Sequence, residues 1–225
     1  MSERPAAPRP VPLRPRLVVA IVGIVLVVAG GIALHASAFD LPVDRALNGL
    51  HTGAIGALGS AVYRFVGPVY AILETAVLTA ILLVVTRDLR RASTFAVTIA
   101  VTWLSSAVVK IAVARPRPDI ALLPHPSPAQ TDASYPSGHA VFVAALVVTA
   151  VLVTRSVALR RVWAIAGGIA VVVVGVLLVS DGVHFPTDVL ASWVWSLALA
   201  PLVCAVWTWI VRPRSVPRRR AAPAA

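Results

Sequence analysis

Lys110 is the single lysine among 20 basic residues; the other 19 are arginines. It closes an apolar run and is followed by Ala114-Arg115-Pro116-Arg117-Pro118. The two prolines cannot continue a helix, and each pushes the residue before it toward extended backbone. A stiff segment of that kind can hold guanidinium forks over a fixed point, and such forks match phosphate oxygens pairwise where an ammonium supplies a point charge. A second cluster, Tyr135-Pro136-Ser137-Gly138-His139, opens the next apolar run. A helix start offers free N–H groups and the positive end of the helix dipole. Ser137 can cap it or donate to an oxyanion, Gly138 admits a ligand close to the backbone, and His139 can pass a proton to a leaving oxygen. A third cluster runs from Gly182 through His184, Phe185, Pro186 and Thr187 to Asp188. Pro186 suits a first helical turn, which brings Asp188 within reach of His184, and a carboxylate that fixes one ring nitrogen leaves the other as a nucleophile. Each cluster also has a plain structural reading. The cations can contact lipid headgroups, Ser137 can be an ordinary cap beside an interfacial histidine, and Asp188 can offset a helix dipole.

The elements that must position these residues are apolar and long. The chain is 59% apolar and 13% charged, with a mean hydropathy of +0.88, whereas soluble domains are about 45–50% apolar and about 25% charged. Runs long enough to cross a hydrocarbon core of about 30 Å are expected near 17–38, 65–86, 92–114, 139–154 (somewhat short), 162–183 and 187–211. The expected fold is all-α, a polytopic six-transmembrane-helix bundle over 17–211, between disordered basic tails at 1–16 and 212–225. The polar segment 39–64 is expected to hold a short interfacial helix, and 115–138, with six prolines, is the longest internal polar segment. The N-terminal tail, the second and fourth loops and the C-terminal tail carry 15 of the 20 basic residues. The positive-inside rule then puts both termini in the cytoplasm and all three clusters on the extracytoplasmic face of the cell membrane. The net charge of +11 sits in short loops and tails, which fits anionic headgroups and excludes a nucleic-acid partner. Ala36-Ser37-Ala38 has the form of a signal-peptidase site, but the run before it is longer than a signal core, so a retained anchor is expected. The single Cys204 reads as an apolar thiol. Gly167, Gly168 and Gly175 read as close helix contacts, and Trp163, Trp207 and Trp209 as an interfacial belt. Glu74, the one acid deep in a run, is expected to face a polar cavity or pair with a hydroxyl.

Topology alone gathers Lys110, Arg117, Ser137, His139, His184 and Asp188 at the ends of four helices on one face. Cations, an anion-binding helix start, an acid and an oriented nucleophile are the parts that phosphoryl transfer requires. At these residues the sequence resembles the type 2 phosphatidic acid phosphatase family. The family pattern is Lys, six residues, Arg-Pro; then Pro-Ser-Gly-His; then Ser-Arg, five residues, His, three residues, Asp. Here the blocks match as Lys110 with Arg117-Pro118, as Pro136 to His139, and as His184 with Asp188. The resemblance implies that His184 attacks phosphorus to form a phosphohistidine, oriented by Asp188, while His139 protonates the leaving oxygen. It further implies that Lys110, Arg117, Ser137 and the Gly138 amide hold the phosphoryl oxygens of a lipid phosphate or a polyprenyl or other lipid pyrophosphate, with no metal and no other cofactor. The pattern breaks where its second Ser-Arg should fall, since Leu177 and Leu178 stand there, and Asp181 adds a negative charge expected close to the phosphate. Arg115 is the nearest candidate for a replacement cation. The competing readings are a relative that binds or moves anionic lipids without cleaving them, and a small transporter or channel component.

Overall fold

The computed structural model describes residues 13–125, 127–128 and 130–212. Most of both expected tails, with Arg4, Arg9, Arg214 and Arg218 to Arg220, lies outside the described residues. Among the described residues eight α-helices follow one another: α1 (Leu13–Leu34), α2 (Leu41–Asn48), α3 (Gly53–Phe65), α4 (Pro68–Thr86), α5 (Leu89–Val113), α6 (Gly138–Val153), α7 (Val157–Ser180) and α8 (Pro186–Ile210), with a 3₁₀ turn at Ile120–Leu122 between α5 and α6. There is no strand among the described residues. Five helices (α1, α4, α5, α7 and α8) are long and apolar enough to cross a membrane, and many of their large apolar side chains face outward, Val84, Val85 and Ile111 among the most exposed. Outward apolar surface of this extent is what a lipid solvent requires.

The helix α6 has only 16 residues, roughly 24 Å at 1.5 Å per residue, short of the hydrocarbon thickness. Its surroundings explain why that length suffices. It packs against α5, α7 and α8, and every residue from Ala140 to Ala145 is buried, so protein rather than lipid surrounds it. Helix association in lipid relies on close packing and polar links more than on apolar transfer. A Cβ at Gly167 would stand 2.6 Å from Val147, and one at Gly175 would stand 2.7 Å from Trp193. Both glycines therefore set helix contacts as expected, but Gly168 faces open space and does not. Trp195 Nε1 donates to the Thr102 carbonyl at 2.9 Å and Ser196 Oγ to the Val141 carbonyl at 3.2 Å, tying α8 to α5 and α6.

Two expectations change at the N-terminal side. The helix α1 begins at Leu13, so the last four residues of the expected tail are helical, and Arg16 reaches the Pro201 carbonyl on α8 at 3.5 Å. The segment 39–64 forms two helices rather than one, broken where Gly53 takes a positive φ of 50°, a conformation glycine adopts at little cost. Both pack on α7. Glu74 makes no expected hydroxyl pairing at Oε1, which is buried with no hydrogen-bond partner among the described residues.

Candidate active site

The C-terminal end of α5, the start of α6, the α7–α8 turn and the start of α8 meet at one end of the bundle. Ala114 takes a left-handed φ of 48° and ends α5, and the proline-spaced arginines follow without helix. Lys110 and Arg117 converge on one group that the sequence did not single out, Asp132. Lys110 Nζ donates to Asp132 Oδ2 at 2.9 Å and to the Ala133 carbonyl at 2.7 Å. Arg117 donates to Asp132 Oδ1 from Nη2 at 2.6 Å and from Nε at 3.2 Å. Partial burial works against the Asp132 charge, yet the bonds from Lys110 and then Arg117 outweigh it and bring its pKa down to about 2.

His184 is fully buried behind Arg117. Arg117 Nη1 donates to the Val183 carbonyl and sits 3.5 Å from His184 Nε2. On the other side of the ring, Nδ1 faces Asp188 Oδ2 at 3.6 Å, just beyond hydrogen-bond length. Asp188 is itself pinned: Oδ2 accepts from the Phe185 amide at 2.9 Å, and Oδ1 accepts from Arg115 Nη1 at 2.8 Å. It therefore caps α8 and faces the histidine at once. Burial, and after it the nearby Arg117 charge, lower the pKa of His184 to about 4 against the partial opposition of Asp188, so its imidazole is neutral at neutral pH. The His139 ring lies 6.2 Å from the His184 ring, centroid to centroid, and 4.5 Å from Tyr63 on α3. A cavity of about 370 Å³ opens here, lined by Lys110, Arg117, Gly138, His139, Asp132 and Tyr63, with Arg64 and Trp103 also on its wall.

The nominated residues therefore divide. Lys110, Arg117, Gly138 and His139 line the cavity, and a Cβ at Gly138 would have only Trp103 Nε1, at 3.8 Å, within contact distance. Ser137 does not line it: fully buried, its Oγ accepts from the Ala140 amide at 3.3 Å as the α6 cap. Arg115 is a correction to the expected replacement cation. Its guanidinium is completely buried, bonded to Asp188 as above, to Asp40 Oδ1 at 3.0 Å, to Thr187 Oγ1 at 2.7 Å and to the Ser37 carbonyl at 2.8 Å, and its Cζ lies 4.1 Å from the Phe185 ring centre. Two carboxylates and two neutral oxygens occupy both Nη atoms, and Nε is buried without a partner among the described residues, so the group orients Asp188 rather than facing a ligand. Asp181 is likewise turned away from the cavity, its Oδ1 accepting from Ser60 Oγ at 3.1 Å and lying 3.4 Å from His51 Nε2. Leu178 is buried in an apolar cluster with Ala140, Val179 and Val189.

Sequence reasoning missed Asp132, Tyr63, Arg64 and Asp40, which share no spacing with the motifs. The one available signal was the unusual polarity of 39–64 and 115–138. Asp44 was missed too. It is fully buried on α2, neither carboxylate oxygen has a hydrogen-bond partner, and burial, then Asp40 and Asp188, push its pKa up to about 7.

An all-helical membrane protein with a basic, histidine-bearing cavity at one end of its central helices is the class defined here. The chain belongs to the PAP2 superfamily, whose sequence model matches residues 91–212, more than half of it. It is 35% identical over 119 residues to an undecaprenyl-diphosphatase of Sulfolobus acidocaldarius, a match covering 51% of this chain and 54% of that protein. The chain thus spans about half the length of that curated relative. Its fold matches the crystal structure of a transmembrane PAP2 type phosphatidylglycerolphosphate phosphatase from Bacillus subtilis with a TM-score of 0.68 at 21% identity, covering 88% of this chain and 98% of that one.

Proposed function

We propose that this protein is an integral membrane phosphatase that hydrolyses a lipid phosphate or lipid diphosphate at the extracytoplasmic face through a phosphohistidine. The observation that carries the reading is the file of Asp188, His184 and Arg117, with a carboxylate behind Nδ1 and a cation beside Nε2. As a substrate oxygen draws Arg117 Nη1 away from its 3.5 Å contact with His184 Nε2, that neutral nitrogen is uncovered and attacks phosphorus, and the bond to the leaving oxygen breaks. His139, whose ring centre lies 6.2 Å from that of His184, takes up a proton together with the dianionic substrate and gives it to that oxygen. The two imidazoles are close neighbours, edge to face, so both can act on one phosphoryl group seated at the rim of the pair. Lys110, Arg117 and the Gly138 amide neutralise the three equatorial oxygens, the main source of acceleration in phosphoryl transfer. His139, now neutral, takes a proton from water as the water oxygen attacks phosphorus, and the N–P bond to His184 breaks. Arg115 fixes Asp188 throughout and touches no substrate.

Sidedness rests on charge. The opposite ends of the same helices hold a cavity of about 740 Å³ whose wall includes Arg90, Arg91, Arg155, Arg160 and Arg212 with one acid, Asp88, the cytoplasmic signature of the positive-inside rule. The six-span reading counts α6 as the fourth span, wrapped by its neighbours. The two relatives are named for an undecaprenyl diphosphate and a phosphatidylglycerolphosphate, and both present a terminal phosphoryl group on a lipid. Phosphate release by purified protein in detergent from a panel of lipid mono- and diphosphates tests the reading, with His184→Ala abolishing release. Equal release from both proteins would overturn it. Retained lipid binding without release by the natural protein would establish the binding-only alternative, which the absence of a cation at Leu178 favours.

A further inference from the structure

Asp132 occupies the place an anion should take. A single carboxylate accepts from both cavity cations (2.9 Å from Lys110, 2.6 Å from Arg117) while its side chain remains 55% exposed, so a change of its own rotamer would uncover them. We propose that Asp132 is a tethered competitor for the phosphate seat and the residue that makes the site select terminal phosphoryl groups over phosphodiesters. The inference rests on the phosphatase reading for its substrate, though not for its binding test.

The physical argument is one of charge and concentration. A bilayer surface presents phosphodiester headgroups, each with one negative charge, at high density beside this cavity. Two open cations would hold them, and the site would be blocked by the membrane that contains it. A carboxylate on the same chain acts at an effective concentration in the millimolar range, set by its short tether. Its single charge equals that of a phosphodiester, so the diester gains no Coulombic advantage by displacing it. A terminal phosphate carries about −1.5 to −2 at neutral pH and three strong acceptor oxygens. It can satisfy Lys110 and Arg117 together and still offer an oxygen to the Gly138 amide. Discrimination then comes from a built-in cost imposed on the wrong ligand. The low pKa of Asp132 keeps that competitor charged over the whole working range of pH.

The test compares the natural protein with Asp132→Ala and Asp132→Glu in detergent, using dimethyl phosphate (monoanionic) and inorganic phosphate at pH 8 (largely dianionic), read as shifts in thermal midpoint. Inorganic phosphate should stabilise all three proteins. Dimethyl phosphate should stabilise only Asp132→Ala, with an apparent affinity about tenfold or more above that of the natural protein, and the glutamate variant should behave as the natural protein does. In mixed micelles, phosphatidylglycerol should inhibit hydrolysis by Asp132→Ala at roughly one tenth of the mole fraction that the natural protein needs. If Asp132→Ala gains no affinity for dimethyl phosphate, or loses affinity for both anions, Asp132 only organises the cations and the proposal is overturned. The thermal readout requires no turnover, so it decides the matter even if His184→Ala shows that the protein is no phosphatase.

Discussion

Arg115 and Arg117 stand two residues apart with opposite surroundings, and their substitutions should part accordingly. Arg115→Gln leaves Asp40 and Asp188 buried without their cation, a loss that typically costs about 3–5 kcal/mol. A large fall in thermal midpoint in detergent, together with loss of activity, is the expected result. Arg117 pairs with a half-exposed carboxylate at the cavity wall, so Arg117→Gln should lower the midpoint less than Arg115→Gln does and lower kcat/KM by about 10²–10³. Under the proposed mechanism His184 governs the pH profile. Falling pH would protonate Nε2 and remove the proposed nucleophile, but burial lowers its pKa to about 4, so the acidic limb of kcat/KM should break far below the ordinary histidine value of about 6.5. The same displacement acts on stability with the same sign. The fold favours the neutral ring, so the contribution is complete above the unfolded pKa and is lost as pH falls through about 4.

The short helices α2 and α3 carry what the motifs could not announce. Tyr63 and Arg64 come from α3, held in place where Ser60 and His51 meet Asp181, so the acid that looked like an obstacle to phosphate is a tether for the cavity wall. On α2, Asp44 costs stability at alkaline pH. Its raised pKa favours the protonated form in the fold, so its contribution is fullest below the unfolded carboxylate value and is lost as pH rises through about 7. Asp44→Asn should therefore raise the thermal midpoint at pH 8, by about 2–4 °C for each kcal/mol recovered, and have much less effect at pH 5. Scans of both proteins at the two pH values check this. The motif residues were legible because proline stops, helix caps and i,i+4 reach are local properties of sequence. Asp132, by contrast, meets a lysine 22 positions away, and Arg115 meets Asp40 across 75 positions. No periodicity encodes either meeting, and the residue types alone allowed Arg115 to be read as a phosphate ligand.

Across the whole molecule, all three motifs lie within the family-matched residues 91–212, yet the site draws on residues outside them. Asp40 completes the Arg115 pair, and the Val27 carbonyl accepts from the Tyr135 hydroxyl at 2.7 Å. A chain beginning at residue 88 should keep every motif and lose activity, and co-expression with residues 1–87 should restore it, as measured by phosphate release from isolated membranes. At this scale the runs of apolar residues made the long helices legible, and α6 was foreseen as short because its polar flanks bound it closely. Its burial among α5, α7 and α8 was not, since an apolar run reads alike whether lipid or protein surrounds it. The Ser37 carbonyl and the Asp40 carboxylate hold the same guanidinium from either side of Ala38. Scission after Ala38 would create a free α-ammonium on Phe39, one residue from Asp40, a new cation rivalling Arg115 for its carboxylate. A cut at that bond would therefore be felt directly at the buried guanidinium behind Asp188.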